Sequence, residues 1–385
     1  MTASTERLRV LTAGILSLIL LLGIARFAYT PLLPIMQNQA GLGVVAAGWL
    51  ATINYVGYLC GAIIASQIGN MVLKDKLYRL GLIVAVLTTV GMGMTTNVWL
   101  WSLLRFFAGL SSAAGLLLAS ALIMNWLIRH DFRSELGIHF SGLGLGIAVC
   151  AIVVEILNHY FSWDQQWYIL SALGVLILIP AWAWLPPPDT SSVTKGGGAM
   201  TDNPPSPMFL RIFMLAYFCA GIGYVVSATF IVAIVDALPG LAGKGAWVFM
   251  VLGLAAAPAC MIWDLVARRT GDINALILAA ILQIVGIMLP ILSHSLLAAL
   301  IGAVLFGGTF IGLVSLVLSM AGRYYPTRPA KMMGKMTISY GLAQIIAPLV
   351  VGWIAKGSGG YEEGLYLAAG AMVVAVGLLL WLRRI

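Results

Sequence analysis

Two arginines, Arg26 and Arg105, lie inside long apolar stretches of this chain. A guanidinium stays charged at any physiological pH, and its planar fork matches a carboxylate or phosphonate through two parallel hydrogen bonds. In hydrocarbon such a charge is expensive, so each must face a cavity or a partner. Arg26 stands about 16 residues into its stretch, or about 24 Å along a helix; Arg105 stands about 7 residues, about 10 Å, into one running the opposite way. In a layer roughly 30–35 Å deep they reach similar heights in the outer half. No carboxylate is expected at that depth in the first half. Glu155 and Asp236 fall nearer the outer surface, where each is either a titrating partner for the pair or an outer-interface residue. Tyr29, Asn54, Tyr58, Tyr217, Tyr224, Gln283, Tyr340 and Gln344 are further polar groups for a central cavity, or else they bond helix to helix.

Other chemistry is scarce. Cys60, Cys150, Cys219 and Cys260 show no C-x-x-C spacing and read as small apolar residues. His130, His139, His159 and His294 lie on separate segments, with His139 alone inside a span, expected at its cytoplasmic interface. Neither a metal site nor a cofactor is expected. No G-x-x-x-x-G-K-[ST] loop is present, which excludes a nucleotide-driven pump of that kind.

The elements that position these residues follow from composition. The chain is 61% apolar and 9% charged, against about 25% charged in a soluble domain. Twelve apolar stretches run from 9–36 to 361–383, with the eighth at 244–267. Each is near or above the roughly 20 residues that cross a bilayer as a helix. The first resembles a signal peptide but continues past Arg26, so it reads as an uncleaved helix. Seventeen of the 21 Lys and Arg fall in one set of loops, Lys244 and Lys356 in the other. That bias places both termini in the cytoplasm. The net charge of +8 therefore reads as topology and lipid contact, not nucleic-acid binding. Trp99, Trp101, Trp163 and Trp167 are expected in interfacial belts.

The segment 186–207, rich in Pro, Gly and Ser, divides the chain into 1–185 and 208–385, six spans each. It reads as a flexible cytoplasmic linker. An offset of 198 superposes Gly23 on Gly221, Trp49 on Trp247 and Gly109 on Gly307. Because an even number of spans separates the copies, this is a parallel repeat about an axis along the membrane normal. The expected fold is an all-α membrane protein of two six-helix bundles.

With these features the chain resembles the major facilitator superfamily. Within it, GIARFAYTPLLPIMQ (Gly23 to Gln37), NYVGYLCGA (Asn54 to Ala62) and GLAQIIAPLVVGWIA (Gly341 to Ala355) are similar to the YbfB/YjiJ-like branch of bacterial transporters. The resemblance implies alternating access in the bacterial inner membrane. It also implies a gate motif after spans two and eight: in the first copy Ser66 or Gln67 stands where an Asp is expected, while the second keeps Asp264, Arg268, Arg269 and Gly271. RFFAGLSSAAG, from Arg105, resembles a span-four signature tied to substrate binding or proton coupling. SGLGLGIA (Ser141 to Ala148) only partly matches an antiporter signature, lacking its Pro. The expectation is a monomeric, proton-coupled secondary transporter of a small organic anion, contacting only substrate, protons and lipid. A broad efflux pump for lipophilic compounds is the alternative, and a sensor or assembly partner without transport the alternative of another class. An enzyme is not expected, since no cluster of catalytic carboxylates or His gathers at one interface.

Overall fold

A computed structural model describes residues 3–130, 136–188, 203–324 and 329–384. Arg133, Lys195, Arg328 and most of 186–207 lie outside the described residues. Among the described residues eleven helices are long and apolar enough to cross a membrane, and a bent pair supplies a twelfth crossing. The first six are α1 (Thr5–Ala40), α2 (Val44–Gln67), α3 (Met71–Gly93), α4 (Val98–Leu127), α5 (Leu136–Leu157) and α6 (Trp163–Ala183). The second six are α7 (Pro207–Ala237), α8 (Gly245–Ala256 with Ala259–Thr270), α9 (Asp272–Ser293), α10 (Leu296–Ala321), α11 (Met332–Ser358) and α12 (Glu362–Leu382).

Helices form because apolar backbone in lipid must satisfy its own polar groups. Short polar side chains start them. Asn70 accepts from the amides of Val72 and Leu73, Asn97 from those of Trp99 and Leu100, and Ser206 from that of Phe209 beside Pro207. Gly41, at φ +67°, ends α1 and Gly271, at φ +87°, ends α8, a backbone form that side chains resist.

Three spans depart from simple helices, α4 by a short π-helix at Ala114–Ala119. The eighth, expected as one rod, is bent by 48° between Ala256 and Ala259. Pro258 lies in that break, lacking the amide that would continue the ladder. In α1, residues Ile19–Phe27 form a wider π-helix.

The offset of 198 recurs in the contacts. Gly109 on α4 packs on the Asn54 carbonyl of α2, and Gly307 on α10 packs on the Leu252 carbonyl of α8. Even the seam obeys it: Thr30 Oγ1 donates to the Ala228 carbonyl at 2.8 Å, joining positions 198 apart. Equivalent residues meet only on the axis that relates the halves. Beside that axis the halves touch backbone to backbone, Gly48 against Gly352 and Gly144 against Gly253.

Two expectations need correction. Trp101 and Trp167 are fully buried, with Trp101 Nε1 donating to the Met92 carbonyl and its ring edge-on to Trp163; tight helix packing claims them before the interface does. His139 is wholly buried too, its Nε2 3.0 Å from Ser120 Oγ and its ring against Gly14. Gly14 leaves room on α1 for that ring, which therefore never reaches the surface.

Candidate functional site

The π-helical stretch of α1 carries Arg26. A π turn swings carbonyls out of the usual ladder, and such stretches gather at functional sites. Side chains of α4 meet those carbonyls. Arg105 Nη1 donates to Ala25 O and Arg26 O, both at 3.3 Å, and Ser112 Oγ donates to Leu21 O at 2.9 Å. The Arg105 guanidinium also lies 4.5 Å over the ring of Tyr29, whose hydroxyl donates to Ala47 O. Asn54 Nδ2 holds the Arg105 carbonyl at 2.8 Å. Arg105 is thus part of the frame that fixes α1 on α4.

Arg26 sits otherwise. Its guanidinium lies 4.5 Å over Tyr55 and 4.7 Å over Tyr58, both from α2, and 5.4 Å from Phe27. Only 5% of Arg26 is exposed, and its Nε has no acceptor. Among the described residues neither arginine forms an ion pair with a carboxylate. A π face offsets part of the cost of a buried cation, yet it leaves in-plane N–H donors open.

The second half closes over this group. Tyr55 OH is 3.4 Å from Thr229 Oγ1, and Thr52 Oγ1 donates to Ile345 O at 2.9 Å. The space between is nearly closed, a cavity of about 10 Å³ that admits a single water, and is lined by Arg26, Tyr29, Asn54, Tyr55 and Arg105 with Thr30, Ala228 and Thr229. Tyr224, on α7, lies within electrostatic reach of Arg26. It stacks on Phe310 (5.1 Å) and on Tyr340 (5.7 Å), which stacks on Tyr217 (4.5 Å).

Of the residues expected here, Arg26, Arg105, Tyr29, Asn54, Tyr58 and Tyr224 come together. Gln283 and Gln344 are buried with unpartnered side-chain atoms, but neither lines the cavity. Glu155 and Asp236 lie away from it. Glu155 Oε1 accepts from Trp247 Nε1 at 3.0 Å, across the α5–α8 seam, and Asp236 Oδ1 accepts from the Gly245 amide, capping α8. Asp264 and Arg268 form the i,i+4 pair, 2.6 Å apart and largely exposed.

Three features escaped the sequence reading. Tyr55, three residues before Tyr58, shares its face; that spacing was a usable signal. Thr30 and Thr229 gave no signal, since only the tertiary fold brings them to the seam. Asp75 and Arg79, four apart, form an ion pair at 3.0 Å. Arg79 binds both Asp75 oxygens and donates to Trp182 O and Leu185 O, tying α3 to the end of α6.

The fold has close counterparts. A structure of the nucleoside transporter NupG superposes with a TM-score of 0.74, 12% identity and 99% of each chain covered. A bacterial homolog of the human lysosomal transporter Spinster, in an inward-facing, unoccupied conformation, gives 0.70 and 16%, covering 100% of this chain and 98% of that one. Among curated sequences, the uncharacterized MFS-type transporter YceJ of Bacillus subtilis is 25% identical over 174 residues, 44% of this chain and 43% of that protein. The benzoate transport protein of Acinetobacter baylyi is 24% identical over 163 residues, 41% of this chain and 35% of that protein. This chain spans under half the length of either relative. The family described as "Uncharacterised MFS-type transporter YbfB" matches residues 18–380; the chain belongs to that family and is a multi-pass membrane transporter of the major facilitator superfamily, not an enzyme.

Proposed function

We propose that this transporter moves a small organic anion by alternating access, driven by the proton gradient. One observation carries the reading: two buried guanidiniums, without a carboxylate between them, meet in a cavity that both halves line. Two cations at one depth repel each other and lose hydration, so an anion entering the cavity gains from both. A charge-assisted bidentate contact is among the strongest a site can offer. The benzoate transporter among the relatives is consistent with an anionic cargo.

The two bundles, joined through 186–207, rock about the seam. At the end of the bundle away from the termini, Gln37 Nε2 donates to Tyr361 OH and Trp247 to Glu155, and these contacts must part for the cavity to open there. Glu155 and Asp236, neighbours at that end, are the carboxylates placed to take up a proton. Asp264 with Arg268 and Arg269 would bias the opposite gate. The seventeen-to-two split of Lys and Arg supports cytoplasmic termini and an inner-membrane location, with the monomer as the working unit.

A second reading has its own support: an apolar crevice inside the second half, lined by Phe213, Tyr217, Leu276 and Leu379, whose walls suit lipophilic cargo if it widens in another state. Uptake into proteoliposomes with an imposed pH gradient decides between them. Accumulation of a carboxylate that stops with Arg26→Gln, and collapses when the gradient is dissipated, is the expected result. Transport of neutral lipophiles that ignores Arg26→Gln would replace the anion reading with the efflux one.

A further inference from the structure

The second half faces Arg26 with rings rather than charge. Tyr217, Tyr340, Tyr224 and Phe310 form one column, with successive centroids 4.5, 5.7 and 5.1 Å apart and planes within 27° of parallel. Those separations suit stacked aromatic groups. Tyr224, and more remotely Tyr340, lie within electrostatic reach of Arg26, and Tyr55 and Tyr58 flank it from the first half. All five tyrosines are at most 8% exposed. A site for a short aliphatic acid needs only the cation and a small pocket. Here the cation lies over two first-half rings and faces, across a seam that must open and close, a half that carries a column of rings.

We infer that the cargo is an aromatic carboxylate, its carboxylate on the Arg26 fork and its ring packed against the edges of Tyr224 and Tyr340 in the column. This deepens the anion reading above and rests on it. Ring and charge fall on different halves, so only such a molecule binds both at once. A ligand that bridges the halves favours the state in which they are close, and differential affinity is what drives a population shift.

The test compares ligands matched in charge and size. Benzoate and 2-naphthoate are titrated calorimetrically into the purified full-length protein, alongside cyclohexanecarboxylate, the saturated counterpart of benzoate, and benzamide, its neutral isostere. Edge-to-face contact with one or two rings predicts that benzoate binds about tenfold tighter than cyclohexanecarboxylate, with no measurable binding of benzamide. Tyr224→Leu and Tyr340→Leu should bring the ratio near one while carboxylate binding persists, and Tyr224→Phe should keep the ratio. Equal affinity of the wild-type protein for benzoate and cyclohexanecarboxylate overturns the aromatic inference and leaves the anion reading standing. Benzamide binding as tightly as benzoate, or no carboxylate binding at all, overturns both. A tenfold ratio that survives in folded Tyr224→Leu and Tyr340→Leu moves the ring off this column and overturns the placement. Should those variants fail to fold, the wild-type ratio alone decides.

Discussion

The two halves share a frame and differ at its centre. The offset of 198 maps the packing of α4 on α2 onto that of α10 on α8, and on the axis it brings Thr30 to its own counterpart, Ala228. The same offset carries Arg26 to Tyr224 and Arg105 to Ala303. Packing positions are therefore retained between the copies while the polar ones are not. The first half holds the charge and the second supplies rings. A symmetric frame has permitted an asymmetric site, and the site lies where the repeat breaks. Inside the first half the two arginines differ as well: Arg105 donates to carbonyls that the π-helix of α1 leaves free, whereas Arg26 rests over the rings of Tyr55 and Tyr58.

Giving the first half its counterpart's residue breaks the comparison most severely. Arg26→Tyr should cut proteoliposome transport of the carboxylate at least about 100-fold, the cost of a lost bidentate charged contact. Survival within about threefold would make the asymmetry incidental. Arg105→Leu should act on folding instead. It leaves the Ala25 and Arg26 carbonyls without their donor, at about 1–3 kcal/mol, and the thermal unfolding midpoint should fall by several degrees. Arg26→Leu, by contrast, should leave that midpoint unchanged or higher, because it removes a buried cation that has no carboxylate. Matching melting shifts for the two variants would erase the distinction between frame and site. A smaller effect belongs to the axis. Thr30→Val removes one hydrogen bond between halves, about 1 kcal/mol, so spin labels flanking the Gln37–Tyr361 contact should report roughly a fivefold shift toward the separated state. The smallest concerns α8: Asp264→Asn breaks an exposed i,i+4 pair of about 0.3–0.5 kcal/mol, and its transport rate should change by no more than about twofold.

Much of the frame could be read from sequence because bilayer thickness and backbone satisfaction leave little freedom. Twelve spans, their direction and the repeat follow from apolar length, loop charge and one offset. Arg26 and Arg105 stood out for the same reason, as cations where lipid forbids them. Register within a helix was harder. In spans that are apolar on every side, such as α5, nothing in the pattern says which face is central, so His139 was expected at an interface and proved buried. Tyr55 was overlooked although it shares a face with Tyr58. The Asp75–Arg79 pair was overlooked because Arg79 had been counted only as a loop cation. Pro258 was visible all along, and the break in α8 is the ordinary consequence of an interior proline.

The bare contacts at Gly48 with Gly352 and Gly144 with Gly253 bear on friction. Side chains that interlock as ridges in grooves must change rotamers before two helices can slide. Two backbones without side chains have nothing to unlock, so these points act as smooth bearings beside the axis. Resistance to rocking is then set elsewhere, in the hydrogen bonds between the halves at the seam and at the end away from the termini, and speed becomes separable from affinity. A single methyl at Gly144, set against the Gly253 carbonyl, would roughen one bearing and slow turnover while leaving the cavity's hold on its ligand untouched.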